Sequence, residues 1–102
     1  MAKLTCKCME LDYFRKIVST KIFECEAETS EGEMRPYRWE NTNKLLGIEG
    51  YIGTKTGITD AAGPCLSAAY EKGKDKFVVI LLNSKSMDHR WQEVPKVVEW
   101  AI

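Results

Sequence analysis

The chain has 102 residues, 44% of them hydrophobic, with 15 basic and 15 acidic side chains and a formal charge of zero. That length bounds it at one small domain. The lack of a basic excess or of any long block of like charge argues against nucleic acid or an anionic membrane as an obligatory partner, and the longest apolar run, residues 77–82, is far too short to cross a bilayer.

In chain order, residues 2–15 have the pattern of an amphipathic helix, with Leu4, Cys8, Leu11 and then Phe14 or Arg15 at helical spacing. Lys3, Lys7, Glu10 and Asp12 interrupt the same stretch, so it lacks the apolar core of an export signal. Ile17, Val18, Ile22 and Phe23 are β-branched or aromatic and read as an extended continuation. The polar stretch 24–36 reads as a loop, closed by Pro36, which biases its predecessor away from helix. An aromatic and amide-rich segment, 37–46, leads to Gly47 and Gly50.

The second half carries clearer periodicity. Residues 51–56 form a short strand. Residues 64–71 alternate, with Leu66, Ala68 and Tyr70 on one face and Cys65, Ser67 and Ala69 on the other. Lys72-Gly73-Lys74-Asp75 is a polar hairpin connection. Residues 77–83 are a continuous apolar strand of the kind covered on both faces. Ser86 or Asp88 can cap a closing helix whose Trp91, Val94, Val98 and Ala101 share a stripe, with Pro95 kinking it or opening its second half. The fold class expected is α+β: a three-stranded antiparallel sheet with flanking N- and C-terminal helices.

Four cysteines, Cys6, Cys8, Cys25 and Cys65, invite a disulfide framework by their even number. Without an export signal, and with strands able to build an apolar core, structural or free thiols are the better reading. The one histidine, His89, is far along the chain from all four, so no zinc set is assigned and no metal or cofactor is expected.

The informative motif is Gly53-Thr54-Lys55-Thr56-Gly57-Ile58-Thr59-Asp60-Ala61-Ala62-Gly63. Lys-Thr-Gly is one of three short motifs of penicillin-interacting serine enzymes, beside Ser-x-x-Lys and Ser-x-Asn. With its lead-in Asn41-Thr42-Asn43-Lys44-Leu45-Leu46, the following small-residue and apolar strands, and Arg90, the string resembles the C-terminal part of D-alanyl-D-alanine carboxypeptidases, the low-molecular-mass penicillin-binding proteins. The likeness is strongest over residues 39–100 and extends back to Ala2. It implies a partial DD-peptidase, β-lactamase-like fold, with residues 1–102 forming a single partial domain. A serine β-lactamase shares the triplet and explains the lead-in less well.

The resemblance implies roles. Lys55 supplies a fixed positive charge to the catalytic network and to the anionic end of a peptide. Thr56 offers a hydroxyl to that carboxylate, and Gly57 lets a substrate backbone lie against the strand. Thr59 closes the turn, and Arg90 sits near the same pocket. The ligands implied are a peptide ending in D-Ala-D-Ala or a β-lactam. Asn41 and Asn43 also have a plain reading as turn-formers that bond their own backbone.

Departures from the family pattern are as informative. Three residues after Ser19, Ser30, Ser67, Ser84 and Ser86 stand Ile22, Glu33, Tyr70, Met87 and His89, so no Ser-x-x-Lys occurs. Two residues after the same serines stand Lys21, Gly32, Ala69, Ser86 and Asp88, so no Ser-x-Asn occurs. Loss of the nucleophile costs a serine hydrolase about a million-fold in turnover. The expectation is therefore a chain with the substrate-side strand of a carboxypeptidase, inactive alone, or else a non-catalytic relic or binding module that recognises a peptide's C-terminal carboxylate. In the family, the N-terminal part adds two strands and an all-helical lobe. Without them the 77–82 strand becomes an edge, open to a complementing N-terminal chain or to self-association. The family usually acts outside the cytoplasmic membrane, and the sequence itself assigns no compartment.

Overall fold

A computed structural model describes residues 1–102. Two short helices, α1 (Ala2–Met9) and α2 (Asp12–Ser19), precede a β-hairpin of β1 (Ile22–Glu28) and β2 (Met34–Glu40). A 3-10 turn (Lys44–Gly47) leads to β3 (Tyr51–Thr59), β4 (Gly63–Lys72) and β5 (Asp75–Leu81), and α3 (Arg90–Ala101) closes the chain. The three later strands form an antiparallel sheet in the order β3-β4-β5, as the sequence pattern implies. Neither this sheet's flanking helices nor any other helix is long and apolar enough to cross a membrane.

Alternation along β4 organises the layers. Leu66, Ala68 and Tyr70 are buried on one face, where they meet Leu45, Tyr51 and the α3 residues Val94 and Val98. Successive strand residues point to opposite faces, so Ser67 and Ala69 face the other way, toward α1 and α2. There the Thr5 and Ser67 hydroxyls lie 2.8 Å apart. β4 is thus the central strand, covered on both sides, and β5 is an edge. Gly53 lets α2 press on β3: a Cβ at that position would sit 2.9 Å from Val18 Cγ2. At the head of β4, Gly63 adopts φ +70° at the tight turn after β3, a conformation glycine reaches without a Cβ penalty. Gly73 makes the β4–β5 connection between the paired Lys72 and Asp75.

Three expectations are corrected. The single helix over 2–15 is two helices, broken at Glu10 and Leu11, and Ile17 and Val18 belong to α2 rather than to an extended segment. Arg15 helps to stabilise the break by donating to Met9 O at 3.3 Å. Residues 24–36 are not a loop. They form most of the β1–β2 hairpin, with the Thr29 backbone N–H donating to Glu33 O and the Gly32 N–H to Thr29 O at its turn. Phe23, Cys25 and Ala27 oppose Trp39, Tyr37 and Arg35, while Glu24 opposes Arg38 on the other face. The Tyr37 and Trp39 rings stack at 5.5 Å, and Phe23 stacks on Trp39 at 6.2 Å. Pro36 fits because a two-stranded ribbon leaves one edge of each strand unpaired, where a missing N–H costs no ladder bond.

The closing helix keeps Val94 and Val98 inward as expected, while Ala101 is exposed and Pro95 is accommodated without ending the helix. No side chain caps it; Ser86 Oγ accepts from His89 N–H, just ahead of the first turn. All four cysteines are free thiols. The radius of gyration is 15.6 Å, where a compact domain of this length has about 13 Å. Only 15 residues are buried, while Tyr13, Phe23, Trp39, Leu82 and Trp100 are each more than half exposed.

Arg15 also ties α2 to the sheet through Glu71 at 2.6 Å. The hydrogen bond from Arg15 holds the Glu71 carboxyl below the usual range, and the charges of Arg15 and Lys76 add to this against partial burial. A depressed folded value contributes stability above the unfolded pKa, and that contribution is lost as pH falls through the folded one. Urea unfolding should therefore show a loss of stability beginning below about pH 4.3 that Glu71→Gln reduces. Parallel pH profiles for the two proteins would contradict the assignment.

Candidate functional site

The Lys-Thr-Gly triplet lies in β3, whose one side pairs with β4 and whose other side is an open edge. Lys55, Thr56 and Gly57 oppose Ser67, Leu66 and Cys65. Lys55 is exposed, and its ammonium donates to Thr56 O. Gly57 is exposed, and a Cβ there would meet no atom within 4 Å, so the space above the strand is clear. An unpaired strand edge with clear space above it can accept an extended peptide through main-chain hydrogen bonds. Thr59 Oγ1 accepts from Ala62 N–H at 3.0 Å across the turn that follows β3.

Beside the triplet runs a groove of about 370 Å³ between the two N-terminal helices and the sheet. Leu4, Phe14, Val18, Ile80 and Leu82 give it apolar walls, and Lys55, Thr56 and Gly57 form one side. Its floor holds a hydroxyl cluster. Thr54 Oγ1 donates to Ser67 O at 2.8 Å and lies 2.9 Å from Ser67 Oγ, which also contacts Thr5. Ser67 is the serine that register sets opposite Lys55. Its hydroxyl bonds to other hydroxyls, and an activated nucleophile needs an adjacent base. No three His, Cys, Asp or Glu side chains converge anywhere in a set that could hold a metal.

The lead-in segment is built as its asparagines suggest. Asn41 Oδ1 accepts from Asn43 N–H at 2.9 Å, and Asn43 Oδ1 accepts from Leu45 N–H at 3.1 Å. Between them, Thr42 Oγ1 lies 2.7 Å from Thr56 Oγ1. That contact joins two parts of the sequence that no spacing argument connects.

Arg90 stands apart from the other candidate residues. It is only 4% exposed, so it is not a solvated helix end, and it does not line the groove. Its Nη1 donates to Cys65 O and its Nε to Met87 O, both at 3.0 Å, and its guanidinium lies 4.7 Å from the Trp91 ring centroid. It therefore braces β4 at Cys65, the residue paired with Gly57. The sequence signal for Arg90 was one position near a helix start, which carries no information about the direction of its side chain. His89, by contrast, makes a helical pair with Glu93 at 2.8 Å.

Comparison with known proteins gives a consistent picture. Residues 1–86 match the family model described as D-alanyl-D-alanine carboxypeptidase. The D-alanyl-D-alanine carboxypeptidase of Streptomyces sp. (strain K15) is 31% identical over 102 residues, which is 98% of this chain and 35% of the relative. The crystal structure of the Streptomyces K15 DD-transpeptidase superposes with a TM-score of 0.90 at 31% identity, over 99% of this chain and 40% of that one. Penicillin-binding protein D2 from Listeria monocytogenes, in its ampicillin-bound form, gives a TM-score of 0.74 at 30% identity, over 94% of this chain and 37% of that one. The chain thus spans about a third of the curated relative and matches a partial DD-peptidase fold.

Because Arg90 is spent on two carbonyls, Arg90→Met should lower the unfolding free energy by about 1–3 kcal/mol, read from urea denaturation. A change within about 0.5 kcal/mol, the range of an ordinary surface substitution, would show that the brace contributes nothing.

Proposed function

The chain belongs to the D-alanyl-D-alanine carboxypeptidase family, and on that premise we propose that it is the substrate-side part of a serine-type D-Ala-D-Ala carboxypeptidase. In this reading the chain recognises the C-terminal carboxylate of a peptide ending in D-Ala-D-Ala, or of a β-lactam. It performs no acyl transfer alone. The observation that carries the proposal is the Lys-Thr-Gly strand on a free sheet edge, with an exposed cation, a hydroxyl and a cleared backbone in succession.

Each group has a defined task in this reading. The peptide lies along β3 as an added strand over Gly57. Lys55 is the catalytic cation: it attracts the carboxylate and, in a complete active site, supports the charge of the acyl-transfer network. Thr56 donates its hydroxyl to the carboxylate. Thr59 fixes the turn that ends the strand, and Arg90 acts from behind the sheet by holding Cys65 opposite Gly57. Acyl transfer also requires a serine beside a base. The five serines of this chain lack the Ser-x-x-Lys and Ser-x-Asn contexts, so the nucleophile must come from elsewhere.

Residues 1–102 then form one partial domain. The extended shape, small core and exposed apolar groove support this, as does coverage of about a third of the curated relative. The unpaired edge of β5 and the groove are the surfaces that a complementing N-terminal chain would cover, or through which copies would associate. The alternative of a non-catalytic binding module draws on the same strand. It differs in having no complementing part, and the nucleotide sequence upstream of the Met1 codon discriminates between the two.

The proposal predicts that the chain binds an acyl-D-Ala-D-Ala peptide weakly, and its carboxamide analogue more weakly still, in an NMR titration. Lys55→Ala should reduce carboxylate binding about tenfold or more, the scale of a charge-assisted contact. Equal binding of acid and amide, or binding indifferent to Lys55→Ala, would overturn it.

A further inference from the structure

We propose that Thr42 is a positioning residue that aims the Thr56 hydroxyl at the ligand carboxylate, an inference that rests on the reading of Thr56 given above. The segment carrying Thr42 is fixed from both sides. The Asn41 backbone N–H donates to Lys21 O at 2.7 Å, and its side-chain amide donates to Thr20 O at 3.1 Å and Val18 O at 3.4 Å. The Asn41 and Asn43 side-chain oxygens in turn each accept from the backbone N–H two residues on, of Asn43 and Leu45. Asn43 is 3% exposed, so this turn is anchored in the body of the protein and not free to drift. Thr42, held between them, is exposed and reaches across to β3, where its Oγ1 lies 2.7 Å from Thr56 Oγ1.

Two hydroxyls in contact have two protons and need only one for the bond between them. One O–H therefore remains to donate outward. When an anion lies against Thr56, the stable arrangement has Thr42 donating to Thr56 Oγ1 and Thr56 donating to the anion. Each bond polarises the next in such a chain. The Thr42 contact also selects one χ1 well for Thr56, whose rotamers are already few because its Cβ is branched. The Lys55 ammonium, on the Thr56 carbonyl, stands at the same end of the strand. The lead-in motif and the Lys-Thr-Gly motif thus act as one unit: the first holds the hydroxyl that the second presents.

The test uses the full chain with Thr42→Val, which keeps shape but loses the hydroxyl, and Thr42→Ser, which keeps the hydroxyl. Three-bond couplings of Thr56, measured by NMR without ligand, should report one dominant χ1 rotamer in the wild type and in Thr42→Ser, and averaging in Thr42→Val. In titrations, Thr42→Val should weaken binding of acyl-D-Ala-D-Ala about fivefold and leave the carboxamide analogue unaffected. Thr42→Val added to Thr56→Val should cost nothing further. Unchanged Thr56 couplings in Thr42→Val overturn the proposal, as does wild-type affinity of that variant for the carboxylate peptide. If the wild type fails to prefer acid over amide, the reading of Thr56 falls instead, and the couplings still decide whether Thr42 orients it.

Discussion

The antiparallel pairing of β3 with β4 is the constraint on which the rest of this structure depends. It fixes Lys55, Thr56 and Gly57 against Ser67, Leu66 and Cys65, and it leaves the outer edge of β3 free. β4 can hold β3 in place because β4 is itself clamped. Leu66, Ala68 and Tyr70 pack into the core with Val94 and Val98, while on the opposite face the Ser67 hydroxyl meets Thr5. Arg90 adds a polar brace on the carbonyl of Cys65. The outer edge of β3 is unpaired, so its order has to come from the strand behind it. The packing of β4 supplies that order.

The same arrangement explains why the chain is unbalanced as a domain. One face of the sheet has a closed core built on α3. On the other face, α1 and α2 cover the sheet incompletely and leave the apolar groove beside Lys55. A groove of this composition is poorly matched to water, and in the reading proposed above its position beside the Lys-Thr-Gly strand suits a second wall carrying a nucleophile. In that reading the cation, hydroxyl and cleared backbone bind the ligand, and the covalent step belongs to a serine beside a base.

Legibility in the sequence followed periodicity. The alternation of Leu66, Ala68 and Tyr70, the Gly73 connection and the Val94–Val98 stripe each declare an element within a few residues, and all three stand in the structure. The Lys-Thr-Gly string identified the family, which the family model and the K15 relative bear out. The β1–β2 hairpin was missed because its outer face is glutamate-rich and Pro36 counts against a strand. The signal was nonetheless present, with Glu24, Glu26 and Glu28 alternating with Phe23, Cys25 and Ala27. The break between α1 and α2 has no glycine or proline to announce it, and a tertiary contact from Arg15 supports it. The inward turn of Arg90 and the meeting of Thr42 with Thr56 are tertiary facts of the same kind. Residues remote in sequence carry no spacing signal for contact.

The central claim is that this chain holds the recognition wall of an acyl-serine enzyme without its nucleophile. Intact-protein mass spectrometry after incubation with a penicillin tests it most directly, because a β-lactam leaves its full mass on any serine that attacks it. The account predicts that the mass of the chain is unchanged. A stoichiometric adduct on Ser19, Ser30, Ser67, Ser84 or Ser86 would contradict it, and one on Ser67, opposite Lys55, would place a working nucleophile within this chain.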